Sequence, residues 1–290
     1  MHPTKAGNAY KSWFLLFLTY QLSVMRIIFV IAILLFIKPV ITAQTACMPD
    51  DRHFIAGEKL TYTVSYNWGI IWINAGEVDF DASLTSYGSD TALHFFSTGH
   101  SFRRWDWLFK VRDTFEAYSH YKNLQPLFSR RHTLEGGFRI NNRYHFNPDE
   151  QSVFAELEET RTPYNTHEIS LPACTYDVLT ATYVARSLPF SNYSQGDTIR
   201  LSLLLDGKTF ELPIVIRGEE RIKNRDGRKW DCILFSAVLD RGSMFRAGEE
   251  LLVWVSKDDT RLPIMMEAKI TVGSIKIYLS EAEYFKTSQK

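Results

Sequence analysis

The chain has few of the residues from which catalytic and cofactor sites are built. Only three cysteines, Cys47, Cys174 and Cys232, occur in 290 residues, and none form a Cys-x-x-Cys pair, so no redox dithiol or zinc ribbon is encoded locally. Seven histidines follow residue 44 (His53, His94, His100, His120, His132, His145 and His167) without His-x-His or His-Glu-x-x-His spacing. A metal site would have to be assembled by folding, with His94, His132 and His145 the first to inspect. No Gly-x-Ser-x-Gly elbow offers a serine nucleophile. Bases and acids alternate to a formal charge of zero, so there is no basic stripe of the kind nucleic acid requires. No fixed repeat, low-complexity tract or long Gly/Ser/Pro linker divides the chain. These gaps leave no catalytic residue, no metal ligand, no cofactor and no nucleic-acid partner to assign.

What is present begins with an export signal. Met25-Arg26 precedes the apolar run Ile27 to Ile37, and Lys38 to Ala43 leads to Gln44. One cation, a core too short for a comfortable span and a small residue before Gln44 are the parts of a secretory signal. Residues 1–43 are therefore read as a signal peptide, with translation starting at Met1 or at Met25. Trp13 to Val24 adds a second apolar stretch, so an uncleaved anchor is the alternative, and lipidation at Cys47 is a third. The expected location is outside the cytoplasm, in the periplasm or outer envelope. Before Gln44 the chain carries Lys5, Lys11, Arg26 and Lys38 and no acid, so 29 bases face 33 acids in the exported part. In an oxidising compartment one disulfide with one thiol left over is allowed. Cys174 with Cys232 is the pair weighed, and unpaired structural cysteines are the default.

Beyond Asp50 apolar residues recur with period two. Leu60, Tyr62, Val64 and Tyr66 alternate with polar residues, as do Val78, Phe80, Ala82 and Leu84, which is the pattern of strands with one buried face. About a dozen such runs follow, including 109–118, 128–134, 138–146 and 153–157, then 197–205, 208–216, 229–238, 250–255, 262–272 and 274–284. Gly136-Gly137, Asp206-Gly207, Asp226-Gly227 and the tip Lys257-Asp258-Asp259-Thr260 carry the chemistry of tight reversals, which implies antiparallel neighbours. One segment differs. Thr175 to Leu188 spaces Tyr176, Leu179 and Tyr183 at helical intervals, with Thr175 as cap, Asp177 at the positive end and Pro189 as the stop. Its apolar circumference requires packing against the sheet. Residues 44–53 are a short extension, and 54–290 form one β-rich domain. The expected fold class is all-β: a strongly curved antiparallel sheet or incomplete barrel with one central α-helix.

Three ordered landmarks carry a family resemblance. Gly57 to Tyr66, followed by Ile70 to Ala75 and Gly76-Glu77-Val78, resembles the opening of the bacterial domain-of-unknown-function family DUF3108. Tyr176 to Arg186 is similar to that family's helix, with Thr180 where Ser is commoner. Val253 to Asp258, Leu262-Pro263 and Gly273-Ser274-Ile275 resemble its closing hairpin. The resemblance spans about 54–284. It implies an exported, largely antiparallel envelope protein of Bacteroidetes type, akin by fold analogy to curved half-barrels that carry lipoproteins or lipids. It brings no activity and no residue roles.

The aromatic segment is the candidate site. Phe95, Phe96, Phe102, Trp105, Trp107, Phe109 and Phe115 are interleaved with Arg103, Arg104, Lys110 and Arg112. Most of these aromatics suit a core, but Trp105-Asp106-Trp107 falls at a strand junction beside two arginines. Trp105 and Trp107 are expected to offer apolar area at a cleft mouth, and Arg103 and Arg104 to pair with an anionic headgroup. The leading reading is noncatalytic binding of an apolar or amphipathic, lipid-like ligand in a curved cleft, with a glycan the other ligand considered. A structural or assembly factor contacting another envelope protein is the second reading. A glycan- or peptidoglycan-acting hydrolase, which would draw on carboxylates such as Glu156, Glu158 and Glu159, is the third.

Overall fold

The computed structural model describes residues 52–68, 71–239, 249–269 and 273–284; the expected signal sequence lies outside them. Fifteen strands occur among the described residues. The first eight are β1 (Glu58–Trp68), β2 (Ile71–Tyr87), β3 (Asp90–Ser101), β4 (Val111–His120), β5 (Pro126–Glu135), β6 (Phe138–Asn147), β7 (Ser152–Glu159) and β8 (Thr162–Ser170). After the short β9 (Thr175–Asp177) and the helix α1 (Val178–Arg186) come β10 (Thr198–Leu205), β11 (Lys208–Lys223), β12 (Lys229–Leu239), β13 (Glu249–Ser256), β14 (Pro263–Lys269) and β15 (Ser274–Tyr284). They form one sheet, ordered β8 through β1, then β15 down to β9. Every pairing is antiparallel except β9 with β10. This is the expected curved all-β sheet with one helix.

Turn chemistry places the reversals as expected. Gly136 and Gly137 take φ of +55° and +97° between β5 and β6, and Asp206 and Gly207 take +50° and +71° between β10 and β11. Two consecutive left-handed residues match the right-handed twist of a hairpin. Gly76 answers a different need, because a Cβ there would sit 2.3 Å from the His100 carbonyl oxygen. Beside it the β1–β2 register shifts between Val64 and Ser65. The extra residue is Ala75 of β2; along β1, Leu60 and Tyr62 are buried as expected, but Ser65, rather than Tyr66, is the buried residue that follows.

The helix is shorter than the spacing predicts, and its cap is Asp177. That carboxylate accepts from the Leu179 and Thr180 amides, each at 3.0 Å. Thr175 belongs instead to β9, where its hydroxyl donates to the Pro172 carbonyl at 2.7 Å and lies 2.8 Å from Ser202 Oγ. The helix fills the interior of the curve. Tyr183 stacks on Phe95 at 4.1 Å and meets Phe54 edge-on at 4.9 Å, while Leu179 and Val184 join the same core. Thr180 Oγ1 lies 2.8 Å from Ser119 Oγ of β4, so a buried polar contact fixes the helix against the sheet. A second cluster gathers Leu60, Tyr62, Ile222, Trp254, Ile264 and Leu279.

Arg186 ends the helix in a buried ion pair with Glu58, at 2.5 and 3.0 Å, and donates to the carbonyls of His53, Thr260 and Arg261. The two arms of the sheet meet at the β10–β11 turn. Asp206 accepts from Arg131 at 2.9 and 3.0 Å and from Asn142 at 3.2 Å, and the Gly207 amide donates to the Tyr144 hydroxyl at 2.9 Å.

Cysteine pairing differs from the default. Cys174 is disulfide-bonded, whereas Cys232 is free and buried, so the two do not pair with each other. Burial pushes the Cys232 thiol up to about 12, which leaves it protonated and unreactive.

Candidate functional site

Ser101 closes β3, and the chain turns at residues 103–105 before β4 begins at Val111. The expected strand start at Phe109 is displaced because the Leu108 and Phe109 amides both donate to the Trp105 carbonyl, at 2.9 and 3.1 Å. Asp106 locks this loop. It accepts from Ser101 Oγ at 2.6 Å and takes a two-pronged contact from Arg112 at 3.1 and 2.6 Å. The Arg112 hydrogen bond, with that of Ser101, lowers the Asp106 carboxyl below its ordinary range.

The two tryptophans have separate roles in this loop. Trp105 is half-buried, and its indole donates to the Asn74 carbonyl at 2.8 Å, beside the Arg104 guanidinium, which reaches the same oxygen at 3.3 Å. Trp105 is therefore an anchor. Trp107 is 76% exposed, with Leu108 at 47% and Phe109 at 48%. The ring of Phe109 rests on Gly136, where a Cβ would come within 2.5 Å of it. The Asn74 contacts bring this loop to the same end of the sheet as Ile71 and Trp72, themselves 61% and 42% exposed. Sequence reasoning did not select Ile71, Trp72, Leu108 or Phe109 for the site. The apolar run beginning at Ile70 next to a hairpin was the available signal.

Arg103, Arg104 and Lys110 are exposed at the same rim, and none makes a salt bridge among the described residues. Arg104 lies over Phe102 at 5.3 Å and over Trp105 at 5.8 Å. The rim thus joins exposed aromatic and aliphatic area to exposed cationic charge. It faces outward from the end of the sheet. The interior, where a cleft was expected, is occupied by α1 and its aromatic neighbours.

The other candidate groups are scattered. His94 contacts Glu116 at 3.0 Å, and His145 contacts Glu156 at 3.0 Å. No group of three His, Cys, Asp or Glu side chains suited to a metal ion occurs among the described residues. Glu156 also accepts from Tyr164 at 3.0 Å, and the His145 hydrogen bond leads the interactions that lower its carboxyl. Glu158 accepts from Asn141 at 2.9 Å. These carboxylates lie along β7 with separate partners.

Residues 61–280 match the family described as "Protein of unknown function (DUF3108)". Among solved structures, the chain is similar to a β-barrel-like protein of the domain-of-unknown-function family DUF1849 from Brucella abortus. The TM-score is 0.52 at 8% identity, over 80% of this chain and 99% of that one, a likeness of fold. No curated protein matches the chain.

Proposed function

This chain belongs to the DUF3108 family, and we propose that it is a noncatalytic, exported envelope protein whose aromatic rim docks on an anionic, amphipathic lipid surface. The carrying observation is the conjunction at one end of the sheet of exposed Trp107, Leu108, Phe109, Ile71 and Trp72 with exposed Arg103, Arg104 and Lys110. Indole and phenyl rings favour the interface between acyl chains and headgroups, and cations beside them attract anionic headgroups. Charge asymmetry agrees with this reading, since the rim is basic while the exported part has an excess of acids. Export is supported by the Ile27–Ile37 core before Gln44, and the disulfide at Cys174 suits an oxidising compartment. The clamp of Asp106 by Ser101 and Arg112 supports a pre-set loop that binds without ordering first.

Vesicle co-sedimentation tests the proposal. The protein should bind phosphatidylglycerol vesicles, bind phosphatidylcholine vesicles weakly, and detach as salt rises. Each Arg or Lys near an anionic surface is worth about 1 kcal/mol, so Arg103→Ala with Arg104→Ala should lower partitioning roughly 30-fold. Trp107→Ala should weaken binding with the fold intact, because the side chain is mostly outside the core. Equal binding by both variants and the parent, or no binding to either vesicle, would sink the proposal. Retention on another envelope protein without lipid would favour the assembly-factor reading.

A further inference from the structure

At the opposite end of the sheet from the aromatic rim lies a half-open groove of about 230 Å³, bounded by the β4–β5 turn, the β6–β7 turn and the β8–β9 connection. The two sites sit at opposite ends because β4 runs from the rim loop to the β4–β5 turn. We propose that this groove binds an uncharged sugar residue, independently of the lipid-docking rim.

Three observations carry the assignment. The first is the chemistry of the walls. Among the described residues fourteen line the groove, and none of these is Asp, Glu, Lys, Arg or His. A charged ligand would leave water there without a countercharge, which is unfavourable. Asn147 and Gln151 instead present carboxamides with donor and acceptor ends, the complement of sugar hydroxyls that both give and accept, while the Asn123 and Gln125 amides brace each other at 3.3 Å across the β4–β5 turn. Pro126, Pro148 and Phe146 supply apolar area for the C–H face of a pyranose ring.

The second is size. At about 230 Å³ the groove lies below the ~300 Å³ at which sites for drug-sized ligands begin. One six-membered ring fills it, whereas a lipid chain would be left mostly outside. Its open side lets further sugars of an oligosaccharide extend into solvent.

The third is the backbone. Five non-glycine residues among the described residues have left-handed φ: Leu124, Gln151, Cys174, Asp206 and Arg261. Gln151 at +49° and Cys174 at +63° line the groove, and Leu124 at +55° stands between the lining residues Asn123 and Gln125. An L-residue in this region is strained, and such strain gathers where a loop must hold a binding geometry. Each of the three walls therefore carries one strained residue, and each strained turn sets the carboxamide or apolar neighbour beside it. The disulfide at Cys174 restrains the third wall.

Saturation-transfer NMR on the exported chain tests the assignment, with glucose, galactose, N-acetylglucosamine and their trisaccharides as neutral probes and glucuronate as the charged one. Neutral sugars should receive saturation, the trisaccharides on one terminal ring most strongly, and glucuronate should receive little. Asn147→Asp and Gln151→Glu keep side-chain size but add charge, and each should lower affinity by about ten-fold or more. Gln151→Gly gives a distinguishing pair of readouts. It removes a carboxamide and relieves a positive φ, so thermal stability should rise while sugar binding falls. Trp107→Ala should leave sugar binding unchanged. No transfer to any neutral sugar, equal transfer to glucuronate, or undiminished binding in all three groove variants would overturn the proposal.

Discussion

Two charged residues in the interior show how burial changes the meaning of an ion pair. Arg186 and Glu58 are 3% and 1% exposed, and the desolvation of both is offset by two mutual contacts and three carbonyls. The phenols of Tyr62 and Tyr183 beside them are raised by burial foremost. Glu58→Gln should cost about 3–5 kcal/mol in denaturant unfolding, because it leaves a buried guanidinium without its countercharge. The double change Glu58→Leu with Arg186→Met should recover most of that loss; a double variant as unstable as the single would place the cost in lost packing. Asp113 behaves in the opposite sense. Burial, followed by the Glu135 charge, raises its carboxyl to about 7 from an ordinary 3.8. Between these values the folded state binds more protons than the unfolded one, so this residue lowers stability as pH rises from 4 to 7. Asp113→Asn should flatten that part of the stability profile and raise the melting temperature at pH 8. An unchanged slope would show that the carboxyl is already ionised at low pH.

Among elements, strands with one clean buried face were readable and the edges were not. β1, β2 and β3 alternate because one side meets the core, and glycine or aspartate marks their neighbours' turns. β8 reads Thr162-Pro163-Tyr164-Asn165-Thr166-His167-Glu168-Ile169-Ser170 and is largely exposed on both faces. It is a strand because it pairs with β7 in a tight hairpin, and backbone pairing at the sheet edge leaves no apolar period. β9 was absorbed into the expected helix, since Thr175, Tyr176 and Asp177 are all buried and continue its spacing. Their parallel pairing with β10 decides against helix there. The rim was legible in part, because Arg103 to Trp107 stood out by composition. Nothing local distinguished Trp105, whose indole finds a carbonyl 31 residues away, from exposed Trp107. For the body of α1, Val178–Arg186, the pattern sufficed, and Leu179→Ala should cost about 2–5 kcal/mol, the range for a truncated core leucine. A loss below ~0.5 kcal/mol, the scale of surface substitutions, would contradict its place in the core.

For the whole molecule, the question is how a sheet with two free ends keeps a barrel-like curve. Hydrogen-bonded strands end at β8 on one side and β9 on the other. The arms are joined by side chains instead. Asp206 accepts from Arg131 and Asn142, the Gly207 amide donates to the Tyr144 hydroxyl, and Leu204 of β10 packs with Tyr144, Val153 and Ala155 from β6 and β7. Gly207 is also held close, because a Cβ there would come 2.6 Å from Leu157 Cδ1 at a φ of +71°. Asp206→Ala should therefore loosen one arm rather than the whole fold. It strips Arg131 of its nearest carboxylate, leaving Glu135 at 3.7 Å, and takes the partner of the Asn142 amide. A loss of about 1–3 kcal/mol is expected for buried donors left unmatched. Native-state hydrogen exchange locates that loss. Amides of β6, β7 and β8 should exchange faster, while those of α1 and β3, held by the Tyr183–Phe95 stack, should keep their protection. Equal acceleration in both regions would mean that the seam and the helix core open together, and that the curve is set by the central strands alone.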